Sequence, residues 1–182
     1  MKRAILAPAD LAGAPLIELK DWLAISTARD DEALLAQLSA ALDMCEAFTR
    51  QMPLEAECEE VLTASSGWQD LVTRPVQSVT QVESIAADGT RSALSVNAYE
   101  VELDEGGGAQ LRLLGTFAAV RIAVRFTAGI APDWATLPAG IKQGILRLAA
   151  HNFAARQDQR LEASPPAAII ALWQPWRRMR LA

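Results

Sequence analysis

Histidine is nearly missing from this chain: His151 is the only one in 182 residues, and tyrosine also occurs once. A general acid–base centre or a zinc set built on imidazoles has almost nothing to draw on. Cysteine is scarce too. Cys45 and Cys58 form no CxxC pair and have no His or Cys cluster beside them, so they read as free thiols, one of them in the core, rather than as a disulfide. No apolar run approaches the roughly 20 residues that span a bilayer. The opening Met1-Lys2-Arg3-Ala4-Ile5-Leu6-Ala7-Pro8-Ala9 imitates a signal peptide, but its apolar part is short and Asp10 interrupts it, which predicts a cytosolic protein. Gly106-Gly107-Gly108 lacks the Lys-Ser/Thr and the helix that a phosphate loop needs, and no Gly-x-Ser-x-Gly elbow marks a serine as activated.

The remaining candidates for catalysis have simpler explanations. His151 falls mid-helix beside an apolar stripe and reads as a partly buried or interface residue. Glu55, Glu57, Glu59 and Glu60 crowd the entrance to the first expected strand. Paired carboxylates can hydrolyse glycosides, but here they read as a solvated edge. The sequence therefore predicts no enzyme, no metal and no cofactor.

What is present is apolar surface and an uneven charge. Hydrophobic residues make up 51% of the chain and mean hydropathy is +0.12, ample for one ordinary domain or a small domain with an insertion. The net charge of −5 conceals a division. Leu137 to Ala182 holds seven basic residues (Lys142, Arg147, Arg156, Arg160, Arg177, Arg178, Arg180) against Asp158 and Glu162, while the first 136 residues hold ten basic and twenty acidic ones. The basic segment closes on Leu172-Trp173-Gln174-Pro175-Trp176-Arg177-Arg178-Met179-Arg180-Leu181.

Periodicity divides the chain in three. Leu16 to Ile25 predicts a short helix with Leu16, Leu19, Trp22 and Leu23 on one stripe and Pro15 as starter. A second helix is expected from Ser26 or Thr27 to about Gln51, with Asp30, Asp31 and Glu32 complementing its dipole and Pro53 ending it. From Leu54 the period falls to two. Strands are expected over 59–63, 69–72, 79–85, 99–103, 110–114 and 119–126, with Asp88-Gly89 as a hairpin turn. In the last strand Val120, Ile122, Val124 and Phe126 alternate with Arg121, Ala123 and Arg125, one face buried and the other charged. Helix returns after Pro138, where Ile141, Ile145, Leu148, Ala149, Asn152 and Phe153 form a stripe flanked by Lys142, Arg147, Arg156 and Arg160. Ser164-Pro165-Pro166 breaks it before a short segment, Ala167 to Trp173. The expected fold is α+β: a small helical bundle formed by the N- and C-terminal helices (residues 1–53 and 137–182) around an inserted antiparallel β portion (54–136).

Several segments, in order along the chain, resemble the head–tail connector, or adaptor, proteins of long-tailed bacteriophages and phage-like gene transfer agents. They are Leu16-Ile17-Glu18-Leu19-Lys20-Asp21-Trp22-Leu23, Asp30-Asp31-Glu32, Cys45-Glu46-Ala47-Phe48-Thr49-Arg50 and the proline-led Arg74-Pro75-Val76-Gln77-Ser78-Val79-Thr80-Gln81-Val82. Val124 to Gly129, Leu137-Pro138, Ile141 to Ile145, His151 to Arg156 and Leu172 to Arg177 continue the resemblance. Ile130 stands where an aromatic residue is common in the family. The resemblance implies a structural protein that assembles in the bacterial cytoplasm and resides in the particle neck. It would form a ring of twelve copies under the portal protein, extend the DNA channel, and meet a stopper or tail protein on its far side. It also implies no membrane and only transient, non-specific contact with packaged DNA.

On that reading the C-terminal segment is a portal-binding arm. Trp173 and Trp176, burying roughly 150–250 Å² each, contribute on the order of 4–6 kcal/mol apiece before ordering costs. Arg177, Arg178 and Arg180 steer it. The alternative for the same residues is a helix end whose tryptophans cap the bundle core. Lys142, Arg147, Arg156 and Arg160 are candidates for DNA-channel or subunit contact. The competing readings for the whole chain are a sequence-independent DNA-binding module using that basic helix and tail, and an enzyme centred on His151.

Overall fold

Alternation in the middle of the chain becomes two antiparallel sheets. The computed structural model describes residues 3–157 and 165–178, and the chain divides into two units: Met1–Pro8 with Glu55–Gly129, and Ala9–Leu54 with Ile130–Ala182. The first unit contains β1 (Arg3–Ala7), β2 (Ala56–Thr63), β3 (Gln69–Asp70), β4 (Val76–Ile85), β5 (Arg91–Ala93), β6 (Tyr99–Leu103), β7 (Ala109–Leu113) and β8 (Arg121–Ala128). One sheet runs β1-β2-β8-β4-β5 and the other β3-β7-β6.

β8 lies between β2 and β4, with Phe126 opposite Cys58 and Val79, and Ile122 opposite Leu62 and Ser84. Ile122, Val124 and Phe126 are buried as alternation requires. Two residues depart from it. Val120 precedes the strand and is exposed, while Ala123 is buried, because Val61 and Glu83, its larger cross-strand neighbours, share its face. The Asp88-Gly89 turn is present. Gly89 has φ +88° and its N–H donates to the Ala86 carbonyl, a conformation that suits glycine.

β1 went unseen in the sequence because Ala4-Ile5-Leu6-Ala7 lacks alternation. The stretch that imitates a signal peptide is a strand antiparallel to β2, with Arg3 opposite Glu60 and Ile5 opposite Cys58. β5 escaped for a similar reason, being three exposed residues long.

The carboxylates of β2 correct another expectation. Glu57 is exposed, but Glu59 and Glu60 are buried, and β2 is not an edge, since β1 covers it. Glu60 accepts from the Val72 N–H at 2.9 Å, the Thr73 N–H at 2.8 Å and the Thr73 hydroxyl at 2.6 Å. It thereby organises the segment that leads to the cis Arg74–Pro75 bond. Glu59 receives Arg91 through two 2.9 Å hydrogen bonds and Arg125 Nε at 3.1 Å. The bond from Arg91, followed by that from Arg125, holds its carboxyl below the usual glutamate range.

A carboxylate with a depressed folded pKa stabilises fully above its unfolded value, about 4.3, and loses that contribution as pH falls through the folded value. Glu59→Gln should therefore melt below the native protein at pH 7. The gap should shrink steadily in titrations to pH 3 followed by calorimetry, and a gap independent of pH would refute this role.

The second unit is helical: α1 (Ala14–Leu23), α2 (Asp31–Thr49), α3 (Ala139–Gln157) and α4 (Ala167–Trp173), with a 3-10 turn at Gln174–Trp176. N- and C-terminal helices share one core that includes Leu19, Leu34, Leu38, Ile141, Ile145, Leu148 and Trp173, so the fold is α+β with a bundle, as expected. α2 starts at Asp31, later than Ser26 or Thr27, and Asp31 pairs with Lys20 at 2.6 Å. Trp22 leaves the α1 stripe and is 51% exposed. At about 3.6 residues per turn it lies roughly 120° round from Leu16.

Candidate docking surface at the C-terminal segment

α4 reaches α3 closely because two glycines clear its path. Gly140 and Gly144, one turn apart, leave α3 without side chains where α4 crosses. A Cβ on Gly144 would fall on the indole of Trp173, 2.7 Å from Cε2 and 2.8 Å from Cδ1, and one on Gly140 would lie 3.2 Å from the Leu172 carbonyl oxygen. Both are shorter than ordinary side-chain contact. The indole fills the Gly144 gap, with its Nε1–H donating to the Ile141 carbonyl at 3.3 Å and its ring centroid 6.1 Å from that of Phe48.

Trp173 is thus wholly buried. It is the tryptophan that caps the bundle core, and its place as a free anchor of the arm is corrected accordingly. Its burial follows from Gly144, since a helix with any side chain there would hold α4 away.

Beyond Trp173 the chain lies against the end of α2. Arg50 adopts a left-handed φ of +58° and turns the backbone so that the Gln51 side chain donates to the Trp176 carbonyl at 2.6 Å. The Arg178 N–H donates to the Thr49 carbonyl at 3.1 Å. Arg177 sits over the Phe48 ring, 5.4 Å from its centroid, and is exposed, whereas Trp176 and Arg178 are half-buried. The docked tail therefore offers Gln174, Pro175 and Arg177 fully, and Trp176 and Arg178 in part. Arg180 lies outside the described residues.

The basic flank of α3 does not act as a unit. Lys142 pairs with Glu18 at 3.1 Å and stands 5.7 Å from the centroid of Trp134, whose Nε1–H donates to the other Glu18 oxygen at 2.6 Å. Glu18, Trp134 and Lys142 therefore tie α1 to α3. Arg147 is exposed and covers Trp22, 5.9 Å from the ring centroid. Arg156 lies within α3 and its side chain is outside the description, as is Arg160 altogether. Glu18 and Trp134 carried no sequence signal, because their pairing joins residues 116 apart in sequence.

His151 is half-buried on α3. Both cysteines are buried and neither is in a disulfide, and burial pushes the Cys45 thiol up to about 12, far from a reactive thiolate. Among the described residues no group of three or more His, Cys, Asp or Glu could hold a metal ion, and no helix is long and apolar enough to cross a membrane.

A helical bundle with an exposed C-terminal segment, together with a two-sheet β unit, defines an α+β protein. The particular likeness is to neck components of gene transfer agents. A chain in the neck of an empty GTA particle computed with C6 symmetry matches with a TM-score of 0.79 at 26% identity, covering 100% of this chain and 98% of that one. Chains in the virion of a native gene transfer agent particle and in the neck of a native GTA particle computed with C12 symmetry match at 0.78, with the same identity and coverage. No family model matches the chain, and no curated protein matches its sequence. The connector resemblance of the sequence segments is thus joined by a three-dimensional likeness along the whole chain. It supports a structural role in the neck of a virion-like particle.

Proposed function

We propose that the protein is the head–tail connector of a gene transfer agent or tailed phage, forming a ring under the portal protein that extends the DNA channel to the stopper and tail. The observation that carries this reading is the likeness to neck chains over 100% of this chain and 98% of theirs. Twelve copies would match a portal of that symmetry, and assembly would take place in the bacterial cytoplasm. The portal contact is assigned to the tail after Trp173: Trp176, Arg177 and Arg178, joined by Arg180. Guanidinium groups steer and orient such a contact, Trp176 adds apolar area, and repetition around a ring turns a modest contact into a tight one. DNA passing the ring would meet the subunits transiently. A dedicated DNA-binding module is disfavoured by the pairing of Lys142 with Glu18 and of Arg147 with Trp22.

The burial of Trp173 dictates how the arm is tested. Removing everything after Ser164 would take α4 out of the core, so the informative variant is Arg177→Glu/Arg178→Glu/Arg180→Glu. Its melting temperature should stay within a few degrees of native, because Arg177 is exposed, where a charge contributes roughly 0–1 kcal/mol, and Arg178 is held through its backbone N–H, which the substitution keeps. Co-migration with the portal protein in mass photometry should fall by more than about tenfold at 0.15 M salt. Native protein that never joins the portal would sink the connector reading. A triple variant that joins normally would sink only the arm.

A further inference from the structure

A helix end leaves its last carbonyls without partners, and cations settle there because the helix dipole is negative at that end. α2 ends at Thr49, and its last turn carries no basic residue of its own. The tail beyond α4 supplies both missing groups. The Arg178 N–H donates to the Thr49 carbonyl at 3.1 Å, and the Arg177 guanidinium stands over Phe48, 5.4 Å from its ring centroid.

The residues that follow α2 are shaped to receive this tail. The buried Thr49 hydroxyl donates to the Cys45 carbonyl at 2.7 Å and accepts the Gln51 N–H at 3.3 Å. Arg50 between them is left-handed, with φ +58°. The turn brings the Gln51 side chain to the Trp176 carbonyl at 2.6 Å, and Gln51 itself is only 8% exposed. Burying an amide is costly unless its donors are used, and this one is used on a residue 125 positions away. The Trp176 indole lies against the first turn of α3, with Nε1 3.6 Å from where a Gly140 Cβ would stand.

Both hydrogen bonds from this turn end on the backbone of the tail, at the Trp176 carbonyl and the Arg178 N–H. The Arg177 side chain is left exposed and Arg178 half-buried. The tail is therefore held in place without its charged groups serving as the hold.

We propose that the C-terminal end of α2 is a dock that presents the arm in a preformed shape, and that Gln51 is its positioning residue. The inference rests on the connector reading, with the portal protein as partner. A segment already ordered avoids the loss of backbone and side-chain freedom that a loose tail meets on association. Gln51 acts through the Trp176 backbone, and fixing Trp176 fixes the two arginines that follow it.

Gln51→Met in the full chain keeps the length of the side chain and removes its N–H. Amide exchange at Arg178, compared with Ile145 in the α3 core, should accelerate by about tenfold or more. The dissociation constant for the portal protein should rise by about fivefold or more. Added to Arg177→Glu/Arg178→Glu/Arg180→Glu, the same change should alter that constant by less than about twofold, because an arm without its guanidiniums has nothing left to position. General damage to the bundle would instead weaken both backgrounds alike. A measurement on the native protein needs no variant: its Arg178 amide should exchange at least about tenfold more slowly than a free peptide. Exchange there at the free-peptide rate, a Gln51→Met affinity within about twofold of native, or an equal loss in both backgrounds overturns the dock and leaves the connector reading standing. Native protein that never joins the portal overturns both.

Discussion

Trp173→Ala is expected to lower the unfolding free energy of the helical unit by about 3–5 kcal/mol, the range for emptying a large aromatic site in a core. For a chain of this size that is roughly a 6–20 °C fall in melting temperature. The indole has no exposed surface, fills the gap at Gly144 and gives its N–H to Ile141, so its loss leaves both a cavity and α4 without its principal hold on α3. Phe48, beside the ring, can relax only part of the way into that space. Scanning calorimetry decides it. A fall below about 2 °C would show that Trp173 leaves the core readily, and its role as a portal anchor would return. The expected loss is intramolecular, so it should appear with no portal present, unlike the effect of the Arg177, Arg178 and Arg180 changes.

Glu60→Ala should cost about 3 kcal/mol or more. Three donors converge on this carboxylate from Val72 and Thr73, and removing their acceptor strands them. Each buried donor left without a partner costs roughly 1–3 kcal/mol. The Val72 end lies nearer to water, the residue being 68% exposed, so that donor can rehydrate and the sum falls short of its upper limit. A local readout separates this from general damage. Amide exchange at Val72 and Thr73 should accelerate by orders of magnitude more than at Val124 in the centre of the sheet. Equal acceleration at all three would mean that Glu60 merely supports the sheet. Glu60→Gln should be milder, because an amide oxygen at the Oε1 position still accepts both Thr73 bonds and only the Val72 bond is lost.

The two variants mark where pattern reading stopped. Trp173 and Trp176 share a motif and a charge environment, and on the sequence either could anchor an arm or cap a core. Burial separates them: one indole lies in the groove cleared by Gly140 and Gly144, while the other is held through its backbone carbonyl by Gln51. Gly140 and Gly144 were visible as residues, but their use depends on which helix crosses α3 and at what height. Glu60 and Glu57 are likewise indistinguishable in a run of carboxylates. They differ because a loop thirteen residues later returns over one and not the other. In the same way Lys142 read as part of a basic flank until Glu18, from the other end of the chain, was found beside it.

What the sequence determined by itself was everything governed by spacing along the chain. The three- and four-residue recurrence of Leu34, Leu38 and Cys45, and of Ile141, Ile145 and Leu148, specified helices with one buried stripe each. The alternation around Ile122, Val124 and Phe126 specified a strand, Asp88-Gly89 a turn, and the division of charge a basic C-terminal end. Periodicity carries this because a helix or strand presents its faces at fixed intervals whatever surrounds it. Only the tertiary structure decided which carboxylates are buried, which tryptophan is core, and that residues 3–7 join a sheet whose next strand starts at Ala56. Those outcomes depend on segments distant in sequence arriving at one place, and the free energy of a buried charge or an uncovered edge is set by the neighbours that arrive.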